Sequence, residues 1–215
     1  MVLSISVSSL NWRKESKLKP VYFAHATNAY NRPIENAAIR FIADKIAGGR
    51  VELVENPNQP HHQVGYDKYA QRVKRSDKNH KGMNYFYDEV LPQCGSCVAM
   101  PYLDGRIGLG VGGEALWFIE RDMPTWYMQP KENVTAEDIA KFIEDPLRSG
   151  LFRLRTFSDE EVEMLKVDKD IGSRLLVPHE ETRLRSWYIY GKKERPYEEA
   201  HLVSMPVPPD FYPNE

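Results

Sequence analysis

Ordered hydrophobic patterning begins at "PVYFAHAT", residues 20–27, a short apolar and aromatic run entered through a proline, which predicts a buried strand. "IENAAIRFIADKIAGG" follows, with Ile34, Ala38, Ile42 and Ile46 along one helical face and a glycine pair to stop it. "RVELVE" (50–55) alternates and predicts a second strand. Residues 56–80 are polar and lack a sustained period, so they read as a disordered connection or a functional lid. "GMNYFYDEVLPQC" predicts a helix that Pro92 ends or kinks. "SCVAMPYL" predicts a strand, "GGEALWFIERD" a short helix and "PTWYMQ" another strand. "TAEDIAKFIEDP" predicts an amphipathic helix, with Thr135 as N-cap and Glu137 and Asp138 in its first turn. Beyond about residue 150 the pattern weakens. "LFRLRTF" fits a strand and "SDEEVEMLKV" a helix, but "RSWYIYGKK" does not extend the series.

Short apolar strands alternating with helices imply an α/β fold. The expected form is a doubly wound, mainly parallel five-stranded sheet, flavodoxin- or Rossmann-like, with helices on both faces. The chain divides into an N-terminal lead (1–19), an α/β domain (20–150) and a C-terminal extension (151–215) packed on the same domain. In such sheets ligands bind beyond the carboxyl ends of the strands. Three places qualify: "AHATNAY" after the first strand, residues 56–60, and "DGRIGLGVGGE".

Composition narrows the partners. The 215 residues are 41% hydrophobic and 28% charged, as in globular proteins, and the formal net charge of −2 offers no basic excess for a stable nucleic-acid complex. No apolar run approaches the roughly 20 residues of a membrane span. The N-terminal charges follow the short apolar start, the wrong order for a secretory signal. Two cysteines fit a reducing cytoplasm rather than a disulfide scaffold. The tail "MPVPPDFYPNE" is proline-rich and reads as extended surface chain.

Residues 94–118 carry two motif-like patterns. Cys94 and Cys97 have dithiol spacing, but they end a helix and begin a strand, whereas a reactive pair opens a helix. The plainer reading is small buried residues. A zinc site would need more donors; His61, His62 or His80 could contribute, but their spacing from the pair has no recognisable form, and no metal is expected. Gly108, Gly110 and Gly113 follow a strand and open a helix, the context of a phosphate-cradling loop. The turn is later than a dinucleotide fold uses, and no ribose-binding carboxylate follows. What survives is close backbone approach by a ligand, with Glu114 projecting from the first helical turn into the same crevice.

"GLGVGGEALWFIERDMPTWYM", together with "VYFAHA" and "FYDEVLPQCGSCVAM" in that chain order, resembles the nucleoside 2-deoxyribosyltransferase superfamily, particularly its deoxynucleoside 5′-monophosphate N-glycosidase branch. The resemblance covers about residues 20–145. It implies that Glu114 is the nucleophile that attacks the anomeric carbon, that Asp88 assists proton transfer at the base, and that Tyr22 orients the glutamate. Phe23, His25, Asn28, Gly108, Gly110 and Gly112 are the positions expected to meet substrate, a nucleoside or nucleoside monophosphate, with no cofactor. A homodimer or higher homo-oligomer is implied, with active sites near the interface. The chemistry is coherent: N-glycosidic cleavage builds positive charge on the sugar, which a carboxylate stabilises or captures, while a second carboxyl protonates the base. On this reading Glu114 stays ionised at its helix N-terminus and Asp88, beside Tyr85, Phe86 and Tyr87, is raised by desolvation.

The chain departs from that branch at Gly108, where the branch has a phosphate-holding serine, and at His25 and Asn28, where its first loop has glycine and arginine. Arg32 or Arg106 could take over the phosphate, or the substrate could lack one. His25 contacts the sugar or base, or simply fills space. Two other functions are compatible with the residues: a non-catalytic nucleotide-binding sensor on the same fold, and an NAD(P)-dependent oxidoreductase built on the glycine pattern.

Overall fold

The computed structural model describes residues 19–73, 84–166 and 174–177. Residues 1–18 of the N-terminal lead, His80, the "RSWYIYGKK" segment and the proline-rich tail lie outside the described residues. Strand β1 (Val21–Ala24) leads through a 3-10 turn (Thr27–Ala29) to α1 (Pro33–Lys45). A second 3-10 turn (Val51–Leu53) precedes β2 (Val54–Glu55) and α2 (Pro60–Val73). A π-helical turn (Phe86–Val90) and a 3-10 turn (Leu91–Gln93) enter β3 (Ser96–Ala99). Then come β4 (Ile107–Gly108), α3 (Leu109–Ile119), β5 (Thr125–Pro130) and α4 (Ala136–Glu144). The described chain closes with β6 (Phe152–Thr156), α5 (Asp159–Leu165) and β7 (Leu176–Val177).

The fold is α/β. A five-stranded sheet runs in the order β2-β1-β3-β5-β6, and a two-stranded sheet pairs β4 with β7. β1 is parallel to both β2 and β3, and β3 to β5, while β6 is antiparallel to β5. The fifth strand therefore comes from beyond residue 150, so this part of the expected extension is built into the main sheet.

"VYFA" and "SCVA" are buried on both faces, as parallel strands require. The two-residue period of a strand then sorts their side chains into two cores. Val21, Phe23, Val98 and Met128 pack with α1 and α4. Tyr22, Ala24, Cys97, Ala99 and Tyr127 pack with α3, the π-helical turn and Leu165 of α5. The strand order reverses between β1 and β3, and in sheets of this kind ligands bind beyond the carboxyl ends of the strands at such a switch point.

Three elements differ from expectation. Only Val54 and Glu55 of "RVELVE" pair, because β1 offers them just Val21 and Tyr22; Val51 is left exposed. The polar connection 56–80 contains the 14-residue helix α2. Its inward face is His62, Tyr66 and Tyr69, at helical spacing, packed on Tyr85 and Phe86. A period carried by aromatic and histidine rings escapes a search for aliphatic residues. Finally, the helix before β3 ends as a π-helical and a 3-10 turn, with Pro92 inside the latter, as its missing N–H predicts. Among the described residues no helix is long and apolar enough to cross a membrane.

Gly65 lies where the Tyr85 ring presses onto α2, and a Cβ there would overlap that ring's hydroxyl end. Gly110, in contrast, faces open space. Alanine in a helix is favoured over glycine by about 1 kcal/mol, so Gly110→Ala should stabilise by up to that amount. Gly65→Ala should instead destabilise by about 1–3 kcal/mol through overpacking. Urea unfolding of the two variants against wild type checks both signs.

Candidate functional site

Tyr22 enters the site from the middle of β1, on the α3 face of the sheet. Glu114 enters from α3, which begins one residue after the short strand β4, with Gly108 as its N-cap residue. Two glycines of the helix permit close packing. A Cβ at Gly112 would come 2.5 Å from a Leu176 methyl, and one at Gly113 would come 2.6 Å from the Tyr87 hydroxyl. The glycine-rich sequence thus seats α3 against β7 and brings Tyr87 alongside the turn that carries Glu114. There Tyr22 Oη donates to Glu114 Oε1 at 3.0 Å. Tyr22 is 0% exposed and Glu114 5%.

Burial dominates the electrostatics. It pushes the Glu114 carboxyl from an ordinary 4.5 up to about 8, and the hydrogen bond from Tyr22 offsets only part of the shift. This corrects the expectation that Glu114 rests ionised in a first helical turn. The helix starts at Leu109, so Glu114 lies in its second turn, where the macrodipole has faded. The surrounding hydroxyls answer to the same field. Burial first, and then the Glu114 charge, raises the pKa values of Tyr22, Tyr30 and Tyr87. Cys97, directly opposite Tyr22 in the neighbouring strand, is raised in the same way.

On the other face of the sheet lies a carboxylate with the opposite character. Glu35, in the first turn of α1, meets His25 Nε2 at 3.1 Å, Asn56 Nδ2 at 3.0 Å, Asn58 Nδ2 at 3.1 Å and the Asn31 amide at 2.6 Å. Asn31 adopts φ 60, a left-handed conformation that asparagine tolerates. Burial pushes Glu35 up, but the bonds from His25, Asn56 and Asn31 outweigh it, and the carboxyl is held below its usual range. Tyr30, half-buried between them, feels both Glu35 and Glu114.

The structure brings Tyr22 and Glu114 into contact. Asp88 is exposed on the π-helical turn and accepts a hydrogen bond from the Tyr69 hydroxyl. Phe23 points to the opposite face from Glu114, as strand alternation demands, and lies fully buried beneath His25 with ring centroids 4.1 Å apart. It supports His25 and has no surface for a substrate. His25 has both ring nitrogens engaged, the second on the Phe23 carbonyl at 2.9 Å. The Asn28 side chain lies outside what is described. Gly108 and Gly110 line the start of α3, whereas Gly112 is filled over by Leu176 and Leu165. Arg106 donates to the Leu176 carbonyl at 3.2 Å. Cys94 and Cys97 are buried thiols, the first raised to about 12 by burial, which removes the redox reading of the pair. Sequence reasoning missed Glu35, Tyr30 and Tyr87. Glu35 left a signal, an acid two residues after a helix-opening proline, but nothing in the pattern marks it as buried.

A buried carboxyl of raised pKa, hydrogen-bonded by one phenol at a sheet switch point, can act as a proton carrier or, once ionised, as a nucleophile. Its titration also couples to folding. The unfolded chain gives up the Glu114 proton near pH 4.5 and the folded chain near 8, so the native state binds the extra proton between them. This contribution to stability is fully present below the lower value and is lost as pH rises through the upper one, at about 1.4 kcal/mol per pH unit. Glu114→Gln should remove that slope, and urea unfolding from pH 5 to 9 should show wild type losing stability relative to the variant. Parallel curves would contradict it. Comparison of the chain with protein-family models, curated proteins and solved structures finds no match.

Proposed function

We propose that the protein cleaves or transfers the N-glycosidic bond of a nucleoside or nucleoside monophosphate through a glycosyl–Glu114 intermediate, as its motif resemblance to the nucleoside 2-deoxyribosyltransferase superfamily implies. The observation that carries the reading is the buried Tyr22–Glu114 hydrogen bond between β1 and α3, which unites two distant motifs of that resemblance. In the first step a Glu114 oxygen bonds to the anomeric carbon as the C–N bond breaks, its electron pair leaving with the base. The base nitrogen takes a proton from a donor group, Asp88 or water. In the second step water or a second base attacks the same carbon and frees Glu114. Hydrolysis and transfer differ only in that acceptor.

The resting state bears on the first step. With a pKa of about 8, Glu114 is mostly protonated at neutral pH and must lose its proton before attacking. That same property favours a second reading, in which neutral Glu114 donates a proton to the leaving group. The nicotinamide reading draws less support, because the glycine turn follows β4, which lies outside the five-stranded sheet, whereas a dinucleotide fold uses the turn after its first strand. The resemblance also points to a homo-oligomer, which sedimentation would measure.

Incubation with nucleosides, nucleoside monophosphates and NAD, followed by chromatography of free base, tests the proposal. Base release lost at least about a hundredfold in Glu114→Gln supports a covalent or proton-transfer role. Tight binding with no release would replace it with a sensor. The profile of kcat/KM separates the two chemical roles, since it reports groups of the free enzyme. A nucleophile gives a rate that rises with pH and levels above about 8, whereas a proton donor gives one that falls there. Tyr22→Phe, which deletes the bond that holds Glu114 down, should move the limb to higher pH in either case.

A further inference from the structure

The N-terminus of α2 holds a cluster that the glycosidic chemistry does not use. Glu55 is the last residue of β2; His61 and His62 are the second and third residues of α2. One ligand atom from each lies within 4.8 Å of the other two. His62 Nε2 is 2.7 Å, and His61 Nε2 3.3 Å, from the same Glu55 oxygen. Successive helical residues project about 100° apart, so convergence of both rings on one oxygen is not imposed by the helix.

We propose that Glu55, His61 and His62 bind a divalent transition-metal ion, zinc by the character of the donors, in a three-ligand site open to solvent. Two imidazole nitrogens and a carboxylate oxygen are a set that zinc accepts, with bonds of about 2.0–2.2 Å. Ligand atoms on one tetrahedral ion then lie about 3.3 Å apart, close to the separations already present. The outer contacts fit as well. His62 is 3% exposed, and its other nitrogen, Nδ1, lies 3.2 Å from the Tyr85 hydroxyl. A proton on Nδ1 donated to that oxygen leaves Nε2 bare for the metal, the tautomer that a partner of a metal-binding histidine enforces. Phe86, 5.6 Å from the same ring, walls the site on its inner side. The His61 side chain is 61% exposed, so the ion has an entry path and its fourth position faces water. That position takes water or an anionic oxygen ligand. The competing arrangement is metal-free, both Nε2 groups carrying protons donated to Glu55.

The proposal stands apart from the glycosidic reading, and its test reads metal rather than activity. Metal-stripped full-length protein is titrated with zinc by calorimetry and with cobalt by visible absorption. One equivalent should bind, with cobalt bands of four- or five-coordinate intensity. Affinity should fall at least about tenfold in His61→Ala, an exposed position the fold does not need, and in Glu55→Gln. Zinc should raise the melting temperature of wild type more than that of either variant. Failure to bind up to submillimolar zinc, or binding that both variants leave intact, would overturn the site.

Discussion

The structure turns on how one carboxyl group is accommodated where water is excluded. Burying an ionised carboxylate without a compensating charge is expensive, so such a group keeps its proton or collects donors. Glu114 does the first. Its side chain has the Tyr22 hydroxyl as a partner, and burial raises its pKa to about 8. Everything around it is arranged to allow that burial: β1 delivers the phenol, Gly113 admits Tyr87, and Gly112 lets Leu176 seal the far side of α3.

Glu35 shows the other solution. It collects donors from His25, Asn56, Asn58 and Asn31 and stays ionised. The two acids lie on opposite sides of β1 because successive strand residues face opposite ways: Tyr22 leads to Glu114, and Phe23 supports the ring that meets Glu35. Tyr30 feels both. A central strand flanked by one charged and one neutral carboxyl has the asymmetry that acid–base chemistry exploits. Glu35, with its donors in place, ties the first loop to α1, whereas Glu114 has the Tyr22 hydroxyl as a partner.

Much of this was legible in the chain. Short apolar runs at 20–27 and 96–103 announce the central parallel strands, and Thr135 caps α4 as "TAED" predicts, its side chain accepting from the Asp138 amide. Tyr22 and Glu114, paired by the motif resemblance, are 92 residues apart in sequence and in contact in the fold. What was not legible depends on tertiary context. The protonation of Glu114 depends on burial and on the helix starting at Leu109, neither of which a local motif reports. Helix α2 hides its period in histidine and tyrosine rings whose partners, Tyr85 and Phe86, are distant in sequence. His61 and His62 have no sequence spacing to Cys94 and Cys97 that marks a site; their neighbour in space is Glu55, contributed by a strand end.

The central claim is that Glu114 bonds to a sugar. A 2′-fluorinated nucleoside slows release of a glycosyl intermediate by destabilising the positive charge on the ring, so the adduct accumulates if it forms. Mass spectrometry of the quenched, trypsin-digested protein reads it directly. The account predicts one sugar increment on the peptide spanning residues 107–121, located at Glu114. Base release with no adduct, or an adduct on any other residue, would contradict it.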